Sequence, residues 1–497
     1  MGFNYLTTIL FLPAVGSIVI ALISTKNDVL IKRLAAIFTA IPLILSIYLF
    51  VAFDRSSAAA GVIQFQEKYL WIAPLNAYYH LGVDGLSMPL VLLTTFLGFL
   101  AVLISWKVHD RPREFFAWLL LLETSIIGVF ASLDLLLFFI MWEIEVIPMY
   151  FLITIWGSGR REYSAIKYVI YTLFGSAFML AGILSLYFTT HSLSMLDIAN
   201  QGLGMVQSVM PAAAIFWLLF IGFAIKLPMF PFHTWLPDAH TDAPTAVSVM
   251  LAGVLIKMGG YGMIRLCVSM FPASAQQYAQ PLIILALIGI LYGAAVTLMQ
   301  NDIKRMIAYS SISHMGYVLL GIFALGQVSL TGAALQMFSH GIVTGLLFAM
   351  AGLVIHNVEV RDLRKLGGLA KQVPVMAAVF SIAGLASLGL PTTSGFAAEF
   401  LIFLGSYNST AVPNAQIYTI IAIIGVVLTA GYILWMLQRT FFGPVKEEFN
   451  AVKDADGLEK FYMFILIAVI MLVGIYPAIL TDVFKLGITP IVKLIGG

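Results

Sequence analysis

Six ionisable side chains lie inside long apolar stretches of the sequence, where a charge is costly. They are Glu143, Lys226, Lys257, His314, His340 and Glu399. Burial in an apolar medium disfavours the charged form of such groups, and an ionisable residue kept there is by default a sign of function. The chemistry open to them is the uptake and release of protons, because their proton affinity changes when neighbouring charges move.

An ion pair that opens and closes is the switch that the residue types suggest. A carboxylate next to a buried lysine favours the ammonium form, so separation of the pair lowers the proton affinity of the lysine. We expect Glu143 and Lys226 to form this pair. Lys257, in the middle of the stretch Val254-Leu-Ile-Lys-Met258, is the expected central relay.

Two histidines and a second glutamate complete the predicted path. The unperturbed pKa of histidine lies near neutrality, so His314 and His340 could pass a proton to Glu399 as the terminal group. The alternative is structural, since a Glu–Lys pair can pin helices together and a buried histidine often bonds a neighbouring helix. Pinning a bundle does not require charges spread over four helices, and this favours a path.

Four further residues are weaker candidates for accessory roles. We expect Glu123 to flank the pair formed by Glu143. His233, Asp238 and His240 could mark the place where protons are taken up, although solvation at a helix end explains them equally well.

Glu145 does not fit this scheme. It follows Glu143 by two residues, which is about 200° round a helix, so we expect its side chain to face elsewhere. Its partner is left open.

The sequence predicts no metal or cofactor in this chain. Cys267 is the only cysteine, so there is no thiolate set for an iron–sulfur cluster and no disulfide. The histidines have no metal-binding pair spacing, and neither a GxGxxG nor a GxxxxGK[ST] phosphate loop occurs. The net charge of +2 carries no information about nucleic acid, because membrane proteins place their basic residues by topology, and no nucleic-acid partner is expected.

The composition requires a lipid bilayer as the main solvent. Of 497 residues, 61% are hydrophobic and 10% are charged, whereas a soluble domain is about a quarter charged. We therefore expect an all-α integral membrane protein, because a membrane helix needs about 20 apolar residues. About fourteen spans are predicted, at 4–23, 29–53, 84–106, 113–131, 133–156, 164–188, 211–238, 243–268, 281–300, 307–325, 330–356, 374–406, 415–438 and 460–482.

Two of these spans carry helix breaks at matching positions. Pro228 and Pro231 interrupt span 7, and Pro391 with Gly395 interrupts span 12. Five spans separate the breaks, so spans 4–8 and 9–13 are predicted to be inverted repeats; in transporters, such breaks lie at an ion site near the midplane. The single membrane domain then has four parts, which are 1–110 with spans 1–3, 111–270 with the first repeat, 281–440 with the second repeat, and 441–497 with span 14 and the tail.

The basic residues predict the orientation of the chain. Lysines and arginines concentrate in alternate loops, for example Arg160 and Arg161 in one and Arg361, Arg364 and Lys365 in another. Inner loops are enriched in Lys and Arg. Both termini are therefore expected on the outer side.

Two long motifs resemble the antiporter-like subunits of respiratory complex I. The first is KLPMFPFHTWLPDAH at 226–240, continued by LAGVLIKMGG at 251–260, and the second is NDIKRMIAYSSISHMG at 301–316. The resemblance covers essentially the whole chain. Within the family, the chain is similar to the subunit M group, which includes mitochondrial NADH dehydrogenase subunit 4, because Glu399 stands where the other antiporter-like subunits usually carry lysine.

The resemblance implies proton translocation coupled to quinone reduction in other subunits of an NADH:quinone oxidoreductase. It also implies that the same six residues form the proton path. Flavin, iron–sulfur clusters and quinone are then expected in partner subunits, which include neighbouring antiporter-like subunits. The expected location is an energy-conserving membrane, such as the bacterial inner membrane.

Other functions share this scaffold and stay open at this point. A subunit of a sodium/proton antiporter of the Mrp type would carry no electron-transfer partner, and Glu399 argues against it. A ferredoxin-fed photosynthetic or hydrogenase-linked complex is a further alternative, because nothing in the chain selects the electron donor. A purely structural subunit is the third.

Overall fold

Long apolar helices make up most of the chain, which the computed structural model describes for residues 3–24, 27–201, 209–444 and 446–496. The elements of the N-terminal half are α1 (Tyr5–Leu22), α2 (Asp28–Ala52), α3 (Arg55–Ala59), β1 (Gln64–Ile72), β2 (Ala77–Val83), α4 (Ser87–Ile104), α5 (Pro112–Ala131), α6 (Leu135–Ile144), α7 (Val146–Trp156), α8 (Arg161–Thr190), α9 (Met195–Gln201), α10 (Ala212–Lys226), α11 (Trp235–Asp242), α12 (Thr245–Met250) and α13 (Lys257–Gly262). Those of the C-terminal half are α14 (Pro272–Leu298), α15 (Ile303–Phe323), α16 (Gln327–Val358), α17 (Pro374–Leu388), α18 (Ser394–Tyr407), α19 (Ala415–Phe441), α20 (Gly457–Ile475) and α21 (Ala478–Ile495).

Twelve helices in the described ranges are long and apolar enough to cross a membrane. They are α1, α2, α4, α5, the joined pair α6–α7, α8, the segment Thr245–Val268 that contains α12 and α13, α14, α15, α16, α19 and α20. Backbone groups have no partner in lipid, so helices are the structures that let such a chain cross the bilayer. The expectation of a multi-pass helical membrane protein is confirmed.

The two predicted helix breaks are present. Residues 227–234 separate α10 from α11 and contain Pro228 and Pro231, and residues 389–393 separate α17 from α18 and contain Pro391. The prediction that Gly395 interrupts a helix is wrong, because Gly395 is the second residue of α18. Its Cα packs against the carbonyl of Ala386, so it allows α18 to approach α17 closely.

The helices that carry the candidate residues form the centre of the bundle. The most apolar windows of Thr245–Val268, α15 and α16 are 100%, 94% and 89% buried, whereas that of α2 is only 28% buried. Small residues allow this close packing, and Gly341 of α16 shows it: an added Cβ would lie 2.5 Å from the carbonyl oxygen of Gly253. Lys257, His314 and His340, which these three helices carry, therefore lie where neither lipid nor bulk water reaches them.

A β-hairpin occupies residues 64–83, a stretch between two predicted spans to which no element was assigned. Strands β1 and β2 pair antiparallel, and Asn76, in the left-handed conformation at φ 50°, stands just before β2. The hairpin is tied to the start of α6, since the Leu133 amide donates to the His80 carbonyl (2.9 Å) and the Tyr78 amide to the Asp134 carboxylate (3.0 Å). Aromatic and polar residues alternate in this stretch, which is typical of a strand. This short pattern is much weaker than the apolar pattern of the long helices on both sides.

The C-terminal part ends in two helices where one span was predicted. Helix α20 ends at Ile475, and α21 follows after Tyr476 and Pro477. A residue before proline is disfavoured in the helical conformation, which explains the stop. Helix α21 is amphipathic and packs with one face on α4, α14 and α16.

Glu67 of the hairpin stabilises the beginning of α1, and its loss is expected to lower stability. Its carboxylate accepts from the amides of Leu6 (2.8 Å) and Thr7 (3.0 Å), which are orphan donors in the first turn. We expect Glu67→Ala to destabilise the protein by about 1 kcal/mol, as other helix-cap losses do. Thermal unfolding of the purified protein in detergent measures this, with the exposed Glu448→Ala as control. Equal midpoints for the two variants would contradict the capping role.

Candidate functional site

Lys257 lies at an irregularity in the most buried segment of the bundle. The π-helical turns Leu251–Leu255 and Met263–Val268 flank α13, which begins at Lys257. π-Helical turns widen the helix and are frequent at functional sites. The Lys257 ammonium donates to the Ala252 carbonyl, and its Nζ lies 2.8 Å from His340 Nδ1.

His340 and His314 continue from Lys257 on the neighbouring helices. His340 lies on α16 and His314 on α15, and their ring centroids are 5.4 Å apart. Contact between α16 and the Lys257 segment depends on Gly341, whose Cα lies against the carbonyl of Gly253. A side chain at Gly341 would push α16 away from this segment and so move His340 away from Lys257.

Glu399 of α18 ends the row. Its Oε1 lies 3.3 Å from His314 Nδ1, and the Ser387 hydroxyl lies 3.3 Å from His314 Nε2. The amide of Gln336 approaches the same Nδ1 at 3.5 Å. His314 Nδ1 thus has a partner in either protonation state, Glu399 when it carries a proton and Gln336 when it does not.

A small polar cavity connects the histidines with the glutamate. It has a volume of about 10 Å³ and is lined by both histidines, Glu399, Gln336, Ser339, Val343, Thr344, Ala386, Ser387 and Gly395. A volume of this order accommodates about one water molecule when polar partners surround it. His340 lines this cavity, and its Nε2 has no hydrogen-bond partner among the residues that the structure describes.

The break between α17 and α18 places Glu399. Gly389 caps α17 at φ +83°, a left-handed conformation that favours glycine. An added Cβ would lie 2.9 Å from Glu399 Oε2. Glycine at this position therefore makes room for the carboxylate as well as allowing the turn.

Lys226 pairs with Glu145, and the predicted Glu143–Lys226 ion pair is wrong. Lys226 Nζ contacts Glu145 Oε1, and the two side chains are 1% and 0% exposed. The Tyr168 hydroxyl donates to Glu145 Oε2, and Lys226 also donates to Tyr168 (3.2 Å). Lys226 is the last residue of α10, where a positive charge faces the negative end of the helix dipole.

The error lies in which side of the fifth span faces Lys226. Helix α6 ends at Ile144 and α7 begins at Val146, and Glu145 between them keeps a helical backbone (φ −66°, ψ −24°). Pro148 lacks the amide that would bond the Ile144 carbonyl and clashes with that carbonyl in a regular helix. Pro148 accounts for the weakened hydrogen bonding at Ile144, but no signal in the sequence shows which of the two glutamates faces Lys226.

Glu143 lies close to this pair without joining it. It is partly exposed, its carboxylate lies near the Ser176 hydroxyl, and its buried Oε1 makes no hydrogen bond within the described part of the chain. It also lies within electrostatic range of both Lys226 and Glu145. Two carboxylates therefore face one ammonium group.

The accessory candidates lie outside both groups. Glu123 does not flank the pair, because its carboxylate packs against Gly98 of α4. The His233 ring stacks on Phe230 with a centroid distance of 5.8 Å, and His240 stacks on Phe348 at 4.5 Å. Both histidines are buried, so solvation at a helix end does not explain them.

Asp238 forms an ion-pair cluster near the end of the bundle that is rich in arginine. Its carboxylate lies 2.7 Å from Lys167, 3.7 Å from Arg305 and 4.0 Å from Arg160. These contacts tie α11 to α8 and α15. Within the described ranges, no group of three His, Cys, Asp or Glu residues is placed to hold a metal ion.

The site thus consists of two separate groups. Lys257, His340, His314 and Glu399 form one buried row, and each is at most 5% exposed. Lys226, Glu145 and Glu143 form the second group. Among the described residues, the two groups meet only where the backbone of α13 packs against the end of α10. Gly259 of α13 lies against Phe223 and Leu227 at the end of α10.

Known proteins share both the sequence and the fold of this chain. The family model described as "NADH:quinone oxidoreductase/Mrp antiporter, TM" matches residues 132–429, which include both groups. An NAD(P)H-quinone oxidoreductase chain 4 of Synechococcus elongatus is 40% identical over 98% of this chain and 91% of its own length. NADH-quinone oxidoreductase subunit M of Rickettsia prowazekii is 38% identical over 96% of each chain.

A solved structure shows the same architecture. A chain of respiratory complex I from Thermus thermophilus superposes with a TM-score of 0.88 at 27% identity, covering 99% of this chain and 100% of that chain. Together with the match to the family model and to the curated relatives, this likeness shows that the chain belongs to the transmembrane family of the NADH:quinone oxidoreductases and Mrp antiporters.

Proposed function

We propose that the chain is a proton-translocating membrane subunit of an NADH:quinone oxidoreductase of the complex I type, with quinone reduction in other subunits. The observation that carries this proposal is the buried row from Lys257 to Glu399, whose first and last contacts are 2.8 and 3.3 Å. The relatives named as subunit M or chain 4 support the same function.

The row has the chemistry of a proton relay. The Lys257 ammonium donates along its hydrogen bond to His340 Nδ1, and the imidazole releases a proton from its other nitrogen, Nε2. The polar cavity then carries the proton to His314 or Glu399. Two adjacent imidazolium ions repel each other, so a proton arriving at His340 drives the next one toward Glu399.

Lys226 supplies the electrostatic control of this relay. A positive charge at the end of α10 disfavours a second positive charge on the Lys257 segment packed against it. Pairing with a carboxylate cancels most of that field, and weakening of the pair restores it. Movement of the Lys226 ammonium therefore changes the proton affinity of Lys257 without direct contact.

Partners and orientation follow from the same proposal. The subunit assembles in the lipid bilayer with other membrane subunits, including neighbouring antiporter-like ones, and flavin, iron–sulfur clusters and quinone belong to partner subunits. The membrane is an energy-conserving one, such as the bacterial inner membrane, with both termini on the outer side. Counting the breaks α10–α11 and α17–α18 as spans 7 and 12 gives fourteen spans and two inverted repeats, 111–270 and 281–440.

His233, His240, Asp238 and Glu123 keep possible accessory roles in this proposal. His240 lies within electrostatic range of Lys257 and Lys304, which places a buried imidazole between the relay and the arginine-rich end. That position suits proton uptake.

Removal of the central relay tests the proposal most directly. We expect Lys257→Ala to abolish most of the proton yield of this subunit, because His340 then loses its donor. The measurement is the number of protons moved per electron pair from NADH to quinone in sealed vesicles, after assembly of the complex has been verified. The exposed Lys485→Ala is the matched control. An unchanged yield in Lys257→Ala would contradict the proposal, and a sodium-driven flux would identify an antiporter.

The turn before Glu399 offers a second test. Alanine at the φ of Gly389 or Gly443 costs about 1 kcal/mol or more in backbone strain. Only at Gly389 would the new methyl group also displace the Glu399 carboxylate, since an added Cβ at Gly443 meets nothing within 4 Å. We expect Gly389→Ala to lower the proton yield and Gly443→Ala to leave it unchanged, in the same vesicle assay. Equal yields would show that Glu399 is not placed by this contact.

A further inference from the structure

Two carboxylates two residues apart compete for one buried ammonium group. Glu145 accepts from Lys226 with Oε1 and from Tyr168 with Oε2, so both of its oxygens are occupied. Glu143 has the Ser176 hydroxyl near its carboxylate, and its buried Oε1 accepts no hydrogen bond within the described residues. A buried acceptor left unpaired is costly, so an arrangement that brings the Lys226 ammonium group to Glu143 is stabilised.

We propose that Lys226 alternates between two positions, one held by Glu145 and Tyr168 and the other by Glu143, and that Glu145 is thereby a positioning residue of the relay. This inference rests on the function proposed above. No covalent bond is formed or broken in this step. Only the lysine side chain and the hydrogen bonds of its ammonium group change.

The surroundings of Lys226 suit such a movement. It stands at the last residue of α10, directly before the irregular residues 227–234, and its four-carbon stem is flexible. The Trp142 ring lies 5.7 Å from Nζ and the Tyr168 ring 5.2 Å from it, so two aromatic rings attract the cation at its present position. These contacts help to keep the ammonium group within the protein, away from lipid.

Tyr168 makes the two positions unequal. Its hydroxyl bonds Glu145 and lies 3.2 Å from Lys226, so the Glu145 position has two polar partners for the ammonium group. The Glu143 side chain is partly exposed at the surface of this chain, where a charge on a neighbouring molecule can act on it. A positive charge near Glu143 would pair with its carboxylate and leave Lys226 at Glu145. A negative charge at the same place would attract the Lys226 ammonium group toward Glu143.

The test compares Glu145→Gln with Glu143→Gln in the intact complex, by structure determination and by proton yield per electron pair. In Glu145→Gln we expect Lys226 Nζ to lie at hydrogen-bond distance from Glu143, and the yield to fall to that of Lys257→Ala. In Glu143→Gln we expect Lys226 to stay at Glu145, with an equal fall in yield. Glu162→Gln, at the exposed beginning of α8, is the control.

A milder variant keeps the test decisive if Glu145→Gln does not assemble. Tyr168→Phe retains every charge and removes one hydrogen bond from the Glu145 position, so we expect part of the Lys226 population at Glu143 and a lowered yield. Tyr187→Phe on the same helix is its control. Lys226 remaining wholly at Glu145 with a normal yield would overturn the inference.

The results separate this inference from the proposed function. If Lys257→Ala lowers the yield while Glu145→Gln changes neither the yield nor the position of Lys226, the relay stands and the two-position switch is wrong. If Lys257→Ala leaves the yield unchanged, the proposed function itself fails.

Discussion

A charge inside an apolar membrane must find its partners within the protein, because lipid offers none and water is excluded. This constraint governs the centre of the bundle. Lys257 bonds a backbone carbonyl and a histidine, and Lys226 bonds a carboxylate and a phenol. Each charge therefore requires a neighbouring helix at close range, and the glycines and serines of α15 and α16 allow that approach.

Irregular helix geometry provides many of these partners. The π-turn before α13 leaves the Ala252 carbonyl available to Lys257, and the end of α10 presents its negative pole to Lys226. The turn after α17 makes room for Glu399. In each case, a departure from the regular hydrogen-bond ladder coincides with an ionisable group, so the local loss of helical bonding is compensated by the interaction that it permits.

The two groups of charges differ in how they are connected. Direct contacts and a small polar cavity join Lys257 to Glu399, so protons can move within this row. Lys226 contacts the row only through helix packing and can act on it through its electric field. In a medium of low dielectric constant, such a field reaches farther than in water. This arrangement separates the group that transports protons from the group that controls them.

The sequence alone predicts the class of the protein, the two helix breaks and six of the seven residues in the two groups, because apolar length, proline and buried charge are local signals. Which groups meet depends on the tertiary structure. Glu145, rather than Glu143, contacts Lys226, and residues 64–83 pair as a hairpin between long helices. Pairing depends on the rotation and approach of separate helices, which a single-residue pattern does not contain.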